Sequence, residues 1–177
     1  MITEYEVKIL NVDIDLVKKR LSELNAEFIK NRFMKRHVYD LIPPKNNSWL
    51  RLRNDSDKIT LTLKEIKDGS IEGTQELELE VKDFDLTHEL LHKLGFISKS
   101  YQENRRITYK LKGAYIEIDS WPKIPPYIEV EGKNKEMVES IVKHLGFKMS
   151  DTTSISTQKV YKKYGIDISK LDKVTFG

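Results

Sequence analysis

Stretch after stretch of this chain alternates apolar and charged residues with a period of two, the signature of strands that bury one face and leave charge on the other. "EYEVKI" sets Glu4, Glu6 and Lys8 against Tyr5, Val7 and Ile9, and "WLRLRN" sets Arg51 and Arg53 against Leu50 and Leu52. "ITLTLK" opposes Thr60, Thr62 and Lys64 to Ile59, Leu61 and Leu63, while "ELELEVK" opposes Glu76, Glu78, Glu80 and Lys82 to Leu77, Leu79 and Val81. Further on, Arg106, Thr108 and Lys110 alternate with Ile107, Tyr109 and Leu111; Glu117 and Asp119 with Ile116 and Ile118; Glu129 and Glu131 with Ile128 and Val130. The pattern predicts strands at 3–10, 26–41, 48–54, 58–66, 74–83, 98–112, 114–121 and 127–132.

Between the strands lie three amphipathic helical patterns. "DIDLVKKRLSELN" spaces Ile14, Val17, Leu21 and Leu24 along one face behind Asp13 as an N-cap. "DLTHELLHKLGF" and "KEMVESIVKHLGF" end on Gly95 and Gly146, residues suited to the left-handed position after a helix. The echo of "HKLGF" in "KHLGF" suggests a duplicated β-α-β-β-β arrangement, closed by the third helix and a polar tail from 151 to 177 with a short helix around "STQKVYKKYG". The tail reads equally as a cover over one end of the sheet and as a loosely docked terminus. At 177 residues the expectation is one domain, with a core over 1–150.

Composition narrows the chemistry. With no cysteine there is neither a disulfide nor a thiolate metal site, and a cytoplasmic location is expected. No apolar run approaches a membrane span. Thirty-one Lys and Arg against 28 Asp and Glu leave a net charge of only +3, so nucleic acid is not an expected partner, although "KNRFMKRH" mixes basic and aromatic residues. A basic strand edge is the plainer meaning. His37, His88, His92 and His144 show no metal-ligand spacing, and no glycine-rich phosphate loop occurs, so side chains would have to hold any phosphate.

Two architectures satisfy the alternation. In an open antiparallel sheet the charged faces meet water. In a curled sheet they point inward and the helices cover the apolar outside. Like charges two apart on one face repel, as in Glu-x-Glu and Arg-x-Arg, and their repetition favours bound counter-ions. Clustered carboxylates suit hard cations such as Mg²⁺ or Mn²⁺, and Arg and Lys suit phosphate oxygens. An interior holding both is matched to a metal-bound polyphosphate.

In order along the chain, these motifs resemble the CYTH superfamily, the triphosphate tunnel metalloenzymes that include class IV adenylyl cyclase and thiamine triphosphatase. The N-terminal Glu-x-Glu-x-Lys is matched by Glu4, Glu6 and Lys8, Arg-x-Arg by Arg51 and Arg53, and the lysine of "LTLK" by Lys64. Glu78 and Glu80, Arg106, Glu117 and Asp119, and finally Glu129 and Glu131 complete the set over residues 1 to about 150. The resemblance implies an α+β fold: an eight-stranded antiparallel barrel forming a tunnel with a charged interior. It implies Glu4, Glu6 and Lys8 as catalytic positions, and Glu4, Glu6, Asp119, Glu129 and Glu131 as ligands of Mg²⁺ or Mn²⁺. Lys8, Arg51, Arg53, Lys64 and Arg106 would grip phosphate, and Glu78, Glu80 and Glu117 are acidic tunnel residues of less defined duty. One departure stands out: relatives often carry lysine where "NRRITY" has Asn104, and alternation points Arg105 the other way.

The reaction implied first is conversion of ATP to cyclic AMP and pyrophosphate, with the ribose 3′-hydroxyl as nucleophile. Hydrolysis of tripolyphosphate, thiamine triphosphate or a nucleoside triphosphate by water is the alternative, and a non-catalytic polyphosphate-binding module the alternative of another class. Trp121 and Tyr127, flanking the proline-rich "SWPKIPPY", could stack on a base or pack around the turn. Homodimers among relatives make a homodimer an expectation, but no apolar stripe in the sequence marks its interface.

Overall fold

The computed structural model describes all 177 residues. Eight principal strands form within two residues of the expected ends: β1 (Ile2–Ile9), β2 (Glu27–Asp40), β3 (Ser48–Asn54), β4 (Ile59–Ile66), β5 (Thr74–Val81), β6 (Ser98–Leu111), β7 (Ala114–Ser120) and β8 (Tyr127–Gly132). Four helices accompany them: α1 (Ile14–Glu23), α2 (Phe84–Lys93), α3 (Lys135–His144) and α4 (Thr157–Lys163). The element order is β1-α1-β2-β3-β4 followed by β5-α2-β6-β7-β8, the duplication read from the sequence.

Local chemistry sets the helix ends. The Asp13 carboxylate accepts from the amides of Asp15 and Leu16, Asp83 accepts from Leu86, and the Asn134 side chain accepts from Met137. Gly95 and Gly146 follow α2 and α3 at φ of +94° and +90°, where a side chain would clash with its own backbone.

The strands close on themselves. Around the barrel the order is β1-β5-β4-β3-β2-β6-β7-β8, and β8 pairs back onto β1, every neighbour antiparallel. An open sheet is thereby excluded, and with it the reading in which the charged faces meet water. Two short strands, β9 (Thr152–Thr153) and β10 (Lys173–Val174), add to β1 and β6.

The apolar faces turn outward, under the helices. Val17 and Leu21 of α1 and Val138, Ile141 and Val142 of α3 pack with Val7, Ile9, Ile116, Ile118, Ile128 and Val130, burying the β1-β8-β7 side. On the opposite side α2 is anchored by Phe84 and Leu91 against Tyr39 and Leu52. His37 and His88 stack there with ring centroids 4.0 Å apart, outside the barrel and away from its lining. The tail is docked: Val160, Tyr161, Ile168 and Val174 cluster with Trp121, Ile124 and Tyr127, and the Tyr161 hydroxyl donates to the Pro122 carbonyl at 2.7 Å. It therefore covers the end of the barrel where β7 runs into β8. No helix is long and apolar enough to cross a membrane.

Candidate active site

Alternation and closure together drive charge into the interior. Lys8, Arg51, Glu117, Asp119 and Glu129 are all buried. Strand register brings opposite signs level: Lys8 with Glu129, Arg106 with Asp119, and Lys64 with Glu76. It also sets like charges level, Glu6 with Glu131 and Arg36 with Arg53.

Arg106 is the hub of the β6-β7-β8 wall. Its guanidinium donates to both oxygens of Asp119 at 2.6 and 2.5 Å, to Glu129 at 2.6 Å, and to Glu117. Burial alone would lower its pKa, yet Asp119, Glu117 and Glu129 raise it well above the usual arginine value. Lys8 bridges Glu6 and lies 3.2 Å from Glu129, and those two carboxylates likewise outweigh its burial and raise its pKa. Against its own burial, Glu129 is held down to about 2 by Lys8 and Arg106. Lys64 joins Glu4, at 3.2 Å, to Glu76.

This wall nevertheless holds more carboxyl groups than cations. Glu131 forms no ion pair; burial, then the Glu117, Glu6 and Glu4 carboxylates, push its carboxyl up to about 8. Burial also pushes Glu4 up to about 7 despite Lys64, with Glu76 and Glu6 adding to the rise. No three carboxylates already converge as a finished metal cage, because Lys8, Lys64 and Arg106 draw several of them aside. The donor set is all oxygen, and a cation would favour ionisation of Glu131 and Glu4, so it fits a hard divalent cation.

These shifts predict a pH dependence. Glu131 and Glu4 hold protons in the folded state that the unfolded chain releases near pH 4.5, so their contribution is full below that value and is lost as pH rises through about 7 to 8. Glu129 and Glu76, both near 2, act oppositely, and their contribution disappears only as pH falls from 4.5 toward 2. The metal-free protein should therefore melt at least about 3 °C lower at alkaline than at mildly acid pH. Thermal scans from about pH 5.5 to about pH 8.5 in EDTA check this, and a flat profile contradicts it.

The β2-β3 wall is the cationic counterpart. Arg51 reaches Glu76 and Glu78 only at 3.6 and 3.8 Å, and Arg53 reaches Glu78 at 3.6 Å. Burial, then Arg51 and Arg106, lowers the pKa of Arg53 to about 10. Arg32 pairs with Asp55 at 2.8 Å and approaches Glu117 at 3.5 Å. The Nε atoms of Arg32, Arg36, Arg51 and Arg53 are buried without a hydrogen-bond partner, as is Thr60 Oγ1. Stranded donors on one wall and surplus carboxylate on the other can hold a polyanion and a cation side by side.

Of the residues expected at the site, Glu4, Glu6, Lys8, Arg51, Arg53, Lys64, Glu78, Arg106, Glu117, Asp119, Glu129 and Glu131 face the interior network or its border. Glu80 does not join: it is exposed and makes no ion pair, whereas Glu76, one alternation earlier, bridges Lys64 and Arg51. Sequence reasoning also passed over Arg32 and Arg36. Both sit in "KNRFMKRH", where inward Met34 interrupts the charged face. Trp121 and Tyr127 pack, with Trp121 4% exposed and Tyr127 fully buried, and they present no free ring face to a base.

A family model described as the CYTH domain matches residues 3–164. Among solved structures, the PH1012 protein from Pyrococcus horikoshii OT3 is 28% identical with a TM-score of 0.76, and the match covers 86% of this chain and 96% of that one. A conserved hypothetical protein from Pyrococcus furiosus is 26% identical with a TM-score of 0.76, covering 88% and 98%. A Hippeastrum protein described as having a dominant triphosphatase activity shares the fold at 18% identity and a TM-score of 0.62, covering 93% and 96%. Among curated proteins, none matches the sequence.

Proposed function

The chain belongs to the CYTH domain family, and from that premise we propose that it is a divalent-metal-dependent enzyme that hydrolyses a triphosphate compound inside the barrel. The carrying observation is the division of one interior into a cationic wall with unpartnered guanidinium donors and a carboxyl wall in which Glu131 has no cation partner. Arg51, Arg53, Lys64, Lys8 and Arg106 would grip the phosphate oxygens. Glu4, Glu6 and Glu131, with Asp119 and Glu129, would hold Mg²⁺ or Mn²⁺, which when bound supplies Lewis-acid polarisation of phosphoryl oxygen. The residues' own contribution is fixed positive charge in a site largely screened from water, where it stabilises charge building up on the transferring phosphoryl group without reorganisation.

Hydrolysis stands ahead of cyclisation because Trp121 and Tyr127, the aromatic pair available to a base, are consumed in packing against α4 and Arg36. The cyclase reading keeps one specific support: Trp49 shares the inward parity of Arg51 and Arg53 and is only partly buried, leaving ring surface for a planar group. Incubating the purified protein with Mg²⁺ or Mn²⁺ and either tripolyphosphate or ATP, then separating the products, decides between them. Orthophosphate without cyclic AMP is expected. Cyclic AMP and pyrophosphate from ATP would replace hydrolysis by cyclisation. Saturable tripolyphosphate binding without any product would leave a non-catalytic module.

As the partner, we propose a second copy of this chain. α2 docks through Phe84 and Leu91, with His88 stacked on His37 of β2 and the charge of Asp85 acting on that histidine. The side turned away from them is a leucine stripe, Leu86, Leu90 and Leu94, with Ile42 beside Gly95 at the helix end, all 58% to 65% exposed. Together they leave on the order of 400 Å² of apolar surface, within the range of the largest patch on a monomer. With a polar rim this would supply the apolar centre of a standard interface of roughly 800 Å² per partner. A two-fold dimer is expected by light scattering, with L86E/L90E monomeric and its interior unaffected; a monomeric wild type contradicts the assignment.

A further inference from the structure

We infer that Arg36 of β2 is a phosphate-binding residue of the tunnel, held ready by Trp121 and Asn104, an inference that rests on the triphosphate reading above. The residue is only 7% exposed, yet among the lining guanidiniums it alone forms no ion pair: Arg32, Arg51, Arg53 and Arg106 each have a carboxylate within 4 Å. What surrounds it holds it in place without neutralising it. The guanidinium lies 4.7 Å from the centroid of the Trp121 ring, donates through Nη2 to the Asn104 side-chain carbonyl, and touches Met34 Sδ at 3.9 Å. Asn104 is itself anchored by donating to Asp119 at 3.3 Å. Nε of Arg36 has no partner, and neither has the indole Nε1 of Trp121 or Nε of Arg53 directly across the β2-β3 pair.

A guanidinium does not shed its proton at ordinary pH, so the charge stays and its environment is left unsatisfied. Burial, then Arg51, Arg53 and Arg106, drives its pKa well below the usual arginine value, with Asp119 the carboxylate opposing them. Three like charges, an aromatic face that favours a cation, and a planar fork with donors to spare describe a pocket complete except for an anion. A phosphoryl group has the acceptor oxygens to take donors from Arg36 and Arg53 together. Position 104 gains a meaning as well: an asparagine carbonyl there supports a cation arriving from β2, where a lysine would repel it.

The test is to compare wild type, R36Q and R36K for tripolyphosphate affinity by calorimetry, in EDTA or with Mg²⁺ if the wild type requires it, alongside ligand-free melting temperatures. R36Q is expected to lose affinity by about 10-fold or more, as for a charge-assisted contact, while its ligand-free melting temperature holds or rises because an uncompensated charge has gone. R36K should bind with intermediate affinity. Wild-type affinity in R36Q overturns the assignment and leaves the triphosphate reading standing. A fall in the ligand-free melting temperature of R36Q that R36K repairs, with affinity following stability, also overturns it, because Arg36 would then serve packing under Trp121. Absence of wild-type binding in every condition removes both readings together.

Discussion

Glu131→Gln is expected to raise the melting temperature of the metal-free protein and to lower metal-dependent turnover by about 10²-fold or more. The two effects have one cause. Glu131 is a half-buried carboxyl without a cation partner, and Glu117, Glu6 and Glu4 resist its ionisation. An amide of the same shape removes that repulsion, so the free protein gains at neutral and alkaline pH. The same charge is what a divalent cation would draw on, and its loss weakens the carboxylate wall where it is otherwise unpaired. Thermal melting in EDTA and turnover across a Mg²⁺ titration read the two halves separately. A less stable variant, or one with wild-type turnover at every metal concentration, contradicts the role given to Glu131.

Replacing Arg51 and Arg53 together by alanine is expected to weaken tripolyphosphate binding by about 10² to 10⁴-fold, two charge-assisted contact sets at about 1.5–3 kcal/mol each. Their ion pairs with Glu76 and Glu78 are long, between 3.6 and 3.8 Å, so their donors are free for a ligand. The variant should also lose some stability, because Glu76 and Glu78 keep Lys64 and Lys58 but lose their arginines. Calorimetry with tripolyphosphate on a variant whose circular dichroism is unchanged separates the two effects. Undiminished affinity would place the polyanion away from the β2-β3 wall.

Much of this interior could be read before the fold was known, and the exceptions share a physical reason. Alternation fixes which residues share a face, so Glu4, Glu6 and Lys8 could be placed together from the sequence. It does not fix how strands stagger around a closed barrel. That stagger sets Glu76 beside Lys64 and leaves Glu80 outside the network. Arg36 escaped notice because its inward neighbours on β2 are the apolar Met34 and Val38, and because β2 carries register shifts at Phe28/Lys30 and Val38/Tyr39 that break simple parity. The tail was ambiguous for a similar reason: Val160, Tyr161, Ile168 and Val174 are too widely spaced to announce a buried face until Trp121 and Tyr127 supply the other side. In the sequence the leucine flank of α2 is one part of an amphipathic helical pattern. Only closure of the barrel shows that Phe84 and Leu91 suffice for docking and that Leu86, Leu90 and Leu94 are left over.

On this reading the two walls of the tunnel act together, one on phosphate and the other on a divalent cation. Melting temperature measured with Mg²⁺ alone, tripolyphosphate alone and both together tests it most directly. Because bound phosphate charge and bound metal charge attract across one cavity, the stabilisation by both is predicted to exceed the sum of the separate shifts. Stabilisation that is merely additive, or that fails to appear with either ligand, would contradict the account.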